Sequence, residues 1–223
     1  MEERIYDGLK YLISFPSDFR EDQKYSLLIF LHGAGTRNES TERLMRNANV
    51  RRLADRQDAR GYILIAPLCP PGGDWNEWVR SLMGIVGEYR EKPYVDETRV
   101  YLTGNSMGGT GTWTMATRKP EWFASIMPIC GGGVPAFARS MVDLPIRAFH
   151  GLCDKTVDPI ESLLMVREIN LRGGHAELIL FPELSHNCWN AVYSDEKNYD
   201  WLFSFTTERN KTQVEELSGD YYG

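Results

Sequence analysis

The sequence predicts an α/β fold in which a mostly parallel central sheet carries helices on both faces. Three observations lead there. Residues 26–31 (SLLIFL), 62–66 (YILIA) and 100–103 (VYLT) are apolar without alternation, the pattern of strands covered on both sides. These runs alternate with segments of helical spacing, the order expected of a parallel sheet. Each run also enters a breaker-rich or glycine-rich loop, and in open α/β sheets such loops share one edge, where ligands bind.

Taken in order, residues 10–15 (KYLISF) read as a first strand closed by Pro16, and the polar stretch 17–24 as a turn. Residues 26–31 run into His32-Gly33-Ala34-Gly35. Residues 36–60 place Leu44, Ala48, Leu53 and Ala54 at rough helical spacing, ended by Gly61. The arginines there are interleaved with Glu39, Glu42, Asp55 and Asp58, as on a solvated helix face; only Arg37 is placed to reach a ligand. After the strand at 62–66, residues 67–76 (PLCPPGGDWN) form a loop at the ligand edge. Residues 77–91 carry Val79, Leu82, Met83, Val86 and Tyr89 at helical spacing. Strand 100–103 is followed by a helix at 110–118 that stops before Pro120. Residues 125–130 (SIMPIC) read as a strand whose pairing is confined by Pro128. Strand 145–149 leads into His150-Gly151-Leu152-Cys153-Asp154. A helix at 159–172, a last strand at 176–181 and a helix at 189–209 complete the order. One domain over residues 1–209 is expected, with a polar C-terminal tail at 210–223 and no room for a large cap domain.

Composition sets outer bounds. With 223 residues, 42% hydrophobic and 25% charged, the chain can bury a sizeable core. A net charge of −6 argues against a nucleic-acid partner. No apolar run is long enough to cross a bilayer. The start, MEERIYDGLK, lacks the apolar core of a signal peptide, so a cytoplasmic location is expected. Cys69, Cys130, Cys153 and Cys188 form no C-x-x-C pair, which removes zinc and thioredoxin-type readings and leaves free thiols as the expectation. No metal and no cofactor are expected.

The chemistry centres on Gly104-Asn105-Ser106-Met107-Gly108, a G-x-S-x-G match between a strand and a helix. That context makes it a nucleophile elbow. The tight turn costs a serine an unfavourable positive φ, tolerable only where neighbouring residues lack side chains. A phosphate-binding loop needs a different glycine spacing. A serine hydroxyl also needs a base and a carboxylate to orient it. Of the four histidines, His186 alone lies in a loop after a strand and after the acid; His175 sits at the opposite edge. Asp154 stands next to its strand end, whereas Asp158, before Pro159, reads as a helix N-cap. The order Ser106, Asp154, His186 matches the Ser…Asp…His order of one hydrolase fold. The N–H groups of Ala34 and Met107 are the expected oxyanion donors. Gly35 and Trp75 are expected to border the substrate, Trp189 to wall the pocket or pin the histidine loop, and Trp113, Trp122 and Trp201 to pack. Cys153 and Cys188 flank Asp154 and His186, so their thiols are expected near one another.

FLHGAGTR, APLCPPGGDW, RVYLTGNSMGGTGTW, PEWFASIMPICGGG, HGLCDKTVDP and SHNCWNAVYSDEKNYDWL together resemble the α/β-hydrolase superfamily. More narrowly, the chain is similar to bacterial phospholipase/carboxylesterase, predicted-peptidase and polyhydroxybutyrate-depolymerase-like esterases. The resemblance implies Ser106 as nucleophile, His186 as base, Asp154 as its partner, and Trp75 in the loop that borders the acyl pocket. Dienelactone hydrolases differ in carrying cysteine at the elbow. Many members also carry a secretion signal and an extra N-terminal domain, and neither is read in these residues. The expected activity is that of a serine carboxylester hydrolase acting on a small-molecule ester, with small acyl or aromatic-acyl groups, through an acyl-enzyme on Ser106. A peptidase or thioesterase with the same triad, and a non-catalytic binding protein on this fold, are the alternatives.

Overall fold

The computed structural model describes residues 1–37 and 39–208; the expected tail at 210–223 lies outside them. Eight strands form one sheet: β1 Glu2–Tyr6, β2 Leu9–Ser14, β3 Tyr25–Leu31, β4 Tyr62–Pro67, β5 Val95–Asn105, β6 Ser125–Ile129, β7 Arg147–Gly151 and β8 Glu177–Phe181. Their order is β1-β2-β4-β3-β5-β6-β7-β8. The β1/β2 and β2/β4 pairs are antiparallel and the rest parallel. Strand β1 is absent from the sequence reading. Its signal is Asp7-Gly8, both at positive φ (46° and 78°), the dipeptide of a tight hairpin.

The residues 36–60 break into α1 Thr41–Leu44, α2 Ala48–Ala54 and α3 Gln57–Arg60. Ser40 caps α1 and Asn47 caps α2 through their side-chain oxygens, so each local N-cap starts a new helix. The remaining helices are α4 Val79–Arg90, α5 Met107–Arg118, α6 Ile160–Asn170, α7 Trp189–Ser194 and α8 Glu196–Leu202. The single helix expected over 189–209 is thus broken, with α7 and α8 as separate helices and a turn after α8. Asp195 interrupts it by capping α8 through the Lys197 N–H at 3.0 Å.

Alternate strand residues feed two cores. Leu27, Ile29 and Leu31 of β3 join Val100 and Leu102 of β5 against Leu82, Ile85 and Val86 of α4, Trp113 of α5 and Met165 of α6. Leu28 and Phe30 join Tyr101 and Met127 against Val50 and Leu53 of α2, Val192 of α7 and Leu202 of α8. Every residue of β3 is buried, the reason its sequence does not alternate. On the second face Thr103 Oγ1 lies 2.7 Å from Met127 O and 2.9 Å from the Tyr193 hydroxyl, pinning α7 to the sheet.

Pro128 shapes the sheet as its chemistry requires. Strand β6 pairs with β5 continuously from Ser125 to Ile129. Toward β7, Ile126 N donates to Pro145 O and Cys130 N to Phe149 O. Pro128 stands between them with no N–H to give.

Helix α5 starts where β3 ends, and their backbones nearly touch. A Cβ at Gly108 would fall 1.9 Å from Leu31 O and 2.9 Å from His32 O. Gly108→Ala should therefore cost more than about 4 kcal/mol, measured as a collapse of the melting temperature or loss of soluble protein. A parent-like melting temperature would reject this packing.

Candidate active site

Ser106 occupies the turn between β5 and α5 with φ 57° and ψ −121°, a strained geometry for a residue with a side chain. Its amide donates to Ile129 O at 2.8 Å and its carbonyl accepts Thr110 N–H at 3.0 Å. A Cβ at Gly104 would fall 2.4 Å from Gly108 O, so the turn closes only because both positions lack one. The hydroxyl stands at the N-terminal end of α5, where developing negative charge is favoured.

Loops after β7 and β8 bring the other two groups to the same edge. His186 Nε2 lies 2.8 Å from Ser106 Oγ, and His186 Nδ1 lies 2.6 Å from Asp154 Oδ2. A carboxylate only accepts, so Nδ1 carries the proton and Nε2 is left to accept from the serine hydroxyl. Asp154 Oδ1 accepts the Thr156 and Val157 N–H groups at 2.8 and 3.0 Å. Burial alone would raise the Asp154 carboxyl, but the His186 hydrogen bond and those two amides outweigh it and hold it below its ordinary value. Asp158 lies outside this set: its Oδ1 accepts Ile160 N–H at 2.9 Å, capping α6. His175 is exposed before β8. Trp189 stands edge-on to His186, ring centres 5.4 Å apart.

The loop after β3 lies against the elbow. A Cβ at Gly33 would be 3.4 Å from Ser106 Cβ. Residues Ala34–Thr36 then make one 3-10 turn, which directs the Ala34 N–H outward from its start. Neither the Ala34 nor the Met107 N–H has an acceptor among the described residues. Gly35 is exposed on the same turn.

Trp75 departs from expectation. It is 1% exposed, its Nε1 donates to His32 O at 2.9 Å, and its ring meets the His32 ring edge-on. It lies behind the loop, packed on α5 at Gly111. The indole needs both a hydrogen-bond partner and apolar cover, and the core supplies both. His32 is buried too. Its Nε2 accepts Cys69 N–H at 3.0 Å, so its Nδ1 donates to Gly33 O at 2.8 Å. Arg37 ties the same loops: Nε donates to Ala34 O and Nη1 to Gly73 O. Beside them opens a cleft of about 470 Å³, lined in part by Glu3, Lys10, Arg37, Thr41, Leu68 and Pro70.

The cysteine expectation is corrected as well. Cys188 Sγ lies 2.7 Å from Cys130 Sγ, while Cys153 is exposed with its thiol 3.3 Å from Pro182 O. Cys130, the residue after β6, is in positive φ (49°), and this turn brings its thiol to Cys188. The Cys130 contact and burial together push the Cys188 thiol well up. Sequence reasoning also passed over His150. It is fully buried, with Nε2 3.1 Å from Asp154 Oδ2. The available signal is H-x-x-x-D at a strand end. Cys130, His150 and Asp154 bring one ligand-capable atom each within 4.8 Å of one another, although Asp154 is already committed to the contacts above.

No family model matches the chain. It is 24% identical over 246 aligned positions to dipeptidyl-peptidase 5 of Porphyromonas gingivalis, covering 85% of this chain and 35% of that protein. It is 26% identical over 140 positions to the bifunctional acetylxylan esterase/xylanase XynS20E of Neocallimastix patriciarum, covering 59% of this chain and 20% of that protein. A solved structure of a thermostable esterase superposes with TM-score 0.79 at 30% identity, covering 89% of this chain and 59% of that one. The chain thus spans about a third and a fifth of the curated relatives it matches. Among the described residues no helix is long and apolar enough to cross a membrane.

His32 makes one prediction. Burial pushes its imidazole down to about 4, against about 6.5 for an exposed histidine. Between those values the unfolded chain binds a proton that the folded chain refuses. Stability is therefore full above about pH 6.5 and falls toward pH 4, by on the order of 3 kcal/mol. His32→Gln should flatten that slope in denaturant midpoints measured from pH 7 to 4. Equal slopes in parent and variant would reject the assignment.

Proposed function

We propose that this chain, an α/β-hydrolase by fold, is a serine carboxylester hydrolase. The observation that carries the proposal is the unbroken relay from Asp154 Oδ2 through His186 to Ser106 Oγ, at 2.6 and 2.8 Å. His186 Nε2 takes the Ser106 proton as the oxygen attacks the ester carbonyl. The oxyanion that forms faces the Ala34 and Met107 N–H groups. Collapse expels the alcohol, which leaves with the proton from His186, and an acyl group stays on Ser106. Water, deprotonated by His186, then releases the acid and restores the hydroxyl. The relay runs without a metal or cofactor.

Similarity to a thermostable esterase and to an acetylxylan esterase supports ester substrates. Among the described residues no inserted domain follows any strand of the sheet, an arrangement that suits small acyl or aromatic acyl groups. The mixed-charge cleft at Arg37, whose guanidinium holds the Ala34 carbonyl, suits a hydroxyl-rich alcohol portion such as a sugar. Similarity over most of the chain to a dipeptidyl-peptidase supports a second reading, peptide cleavage by the same triad. A panel of acetyl esters, acetylated xylo-oligosaccharides, thioesters and dipeptidyl amides separates these: faster amide than ester turnover would favour the peptidase.

Ser106→Ala should lower kcat for p-nitrophenyl acetate by at least about a thousandfold and abolish labelling by a fluorophosphonate. Unchanged turnover would end the proposal. Ala34→Pro removes one oxyanion donor with little backbone cost. Gly33 is already extended (φ −78°, ψ 169°), as a residue before proline prefers, and proline suits a first helical position. The variant should lose about 3 kcal/mol of transition-state stabilisation, roughly a hundredfold in kcat. Parent-like kcat in a folded Ala34→Pro protein would move the oxyanion site elsewhere.

A further inference from the structure

His150 is a buried titratable group that the relay does not use. Its Nε2 faces two atoms that only accept, Asp154 Oδ2 at 3.1 Å and Val157 O at 3.0 Å. Its Nδ1 faces Ser162 Oγ at 2.8 Å, and that hydroxyl also reaches Gly131 O at 2.9 Å. A hydroxyl can donate or accept, so Nε2 carries a hydrogen whichever way the Ser162 proton points. Asp154 Oδ2 thus takes two imidazole N–H groups, one from His186 and one from His150. Its other oxygen takes two amides.

We propose that His150 is a positioning residue for the relay: its Nε2–H holds the Asp154 carboxylate and tempers the basicity of His186. The proposal rests on the esterase reading above. A carboxylate oxygen shared between two donors attracts each proton less strongly than one serving a single donor. Without His150, the Asp154 charge falls more fully on the His186 Nδ1–H. That favours the protonated form of His186, which cannot accept the Ser106 proton. The groups facing His150 fit this role. Cys130 approaches it from the end of β6, and its thiol is paired with that of Cys188. Helix α6 offers the Ser162 hydroxyl, while the Glu161 side chain lies against Gly132. Asp154 is its titratable hydrogen-bond partner, and His186 shares that carboxylate.

The test compares His150→Leu with His150→Gln, whose side-chain amide can still donate near the Nε2 position. In kcat/KM against pH for p-nitrophenyl acetate, His150→Leu should move the acid limb up by about half to one pH unit. Its kcat should fall about tenfold with KM little changed. His150→Gln should return the limb to the parent position. An unmoved limb in His150→Leu, or equal impairment in both variants, overturns the proposal. Imidazole ¹⁵N spectra of the Ser106→Ala protein supply a readout that needs neither turnover nor a folded His150 variant. A protonated Nε2 on His150 from pH 5 to 8 is expected, and an unprotonated one overturns the proposal. Absence of ester turnover in the parent would instead fail the esterase reading, with the spectra still judging His150.

Discussion

The constraint on which the rest depends is the near-contact of backbones where α5 starts beside the end of β3. Leu31 O sits where a side chain at Gly108 would be, and Gly108 O sits where one at Gly104 would be. This crowding holds Ser106 in a conformation it would not choose alone. The same contact sets the loop after β3 beside the serine, so the proposed nucleophile and oxyanion donors are located by one packing event. His32, Trp75 and Arg37 then fasten that loop from behind by hydrogen bonds to backbone.

The proposed acid and base come from the other half of the sheet. Asp154 and His186 stand on loops that leave β7 and β8 side by side. Asp154 keeps its charge although it is buried, because two amides and an imidazole share it. Behind them a second layer of polar and thiol groups, His150, Ser162, Cys130 and Cys188, fills space that apolar side chains occupy elsewhere in the core. Dense polar contact of this sort fixes orientation through many modest hydrogen bonds rather than one strong one.

Much of this was legible in the residues. Unalternating runs gave the buried strands, and the glycine spacing around Ser106 gave the elbow. The loop positions of Asp154 and His186 follow from strands that all run one way. What was not legible depends on which side of a loop a residue faces. Trp75 lies in a loop at the ligand edge, yet its indole turns inward to His32 O. Cys188 sits near His186 in sequence, yet its thiol meets Cys130, because the positive φ after β6 brings that side chain to it. Strand β1 was missed because its charged residues hide a strand that only the Asp7-Gly8 turn announces. The long C-terminal helix was overextended because periodicity continues across Asp195, where capping chemistry ends one helix and starts another.

The gap at Pro128 has a consequence for the whole assembly. Ser106 belongs to the block built on β5 and β6, whereas Asp154 and His186, its proposed acid and base, belong to the block built on β7 and β8. Between these blocks the backbone ladder is at its thinnest. Alignment of the reacting atoms across that seam is therefore governed by side chains that bridge it: Cys130 with Cys188, Ser162 with Gly131, Thr103 with Tyr193. The two blocks meet like halves of a clasp, closed by these side-chain contacts and by only a few backbone hydrogen bonds.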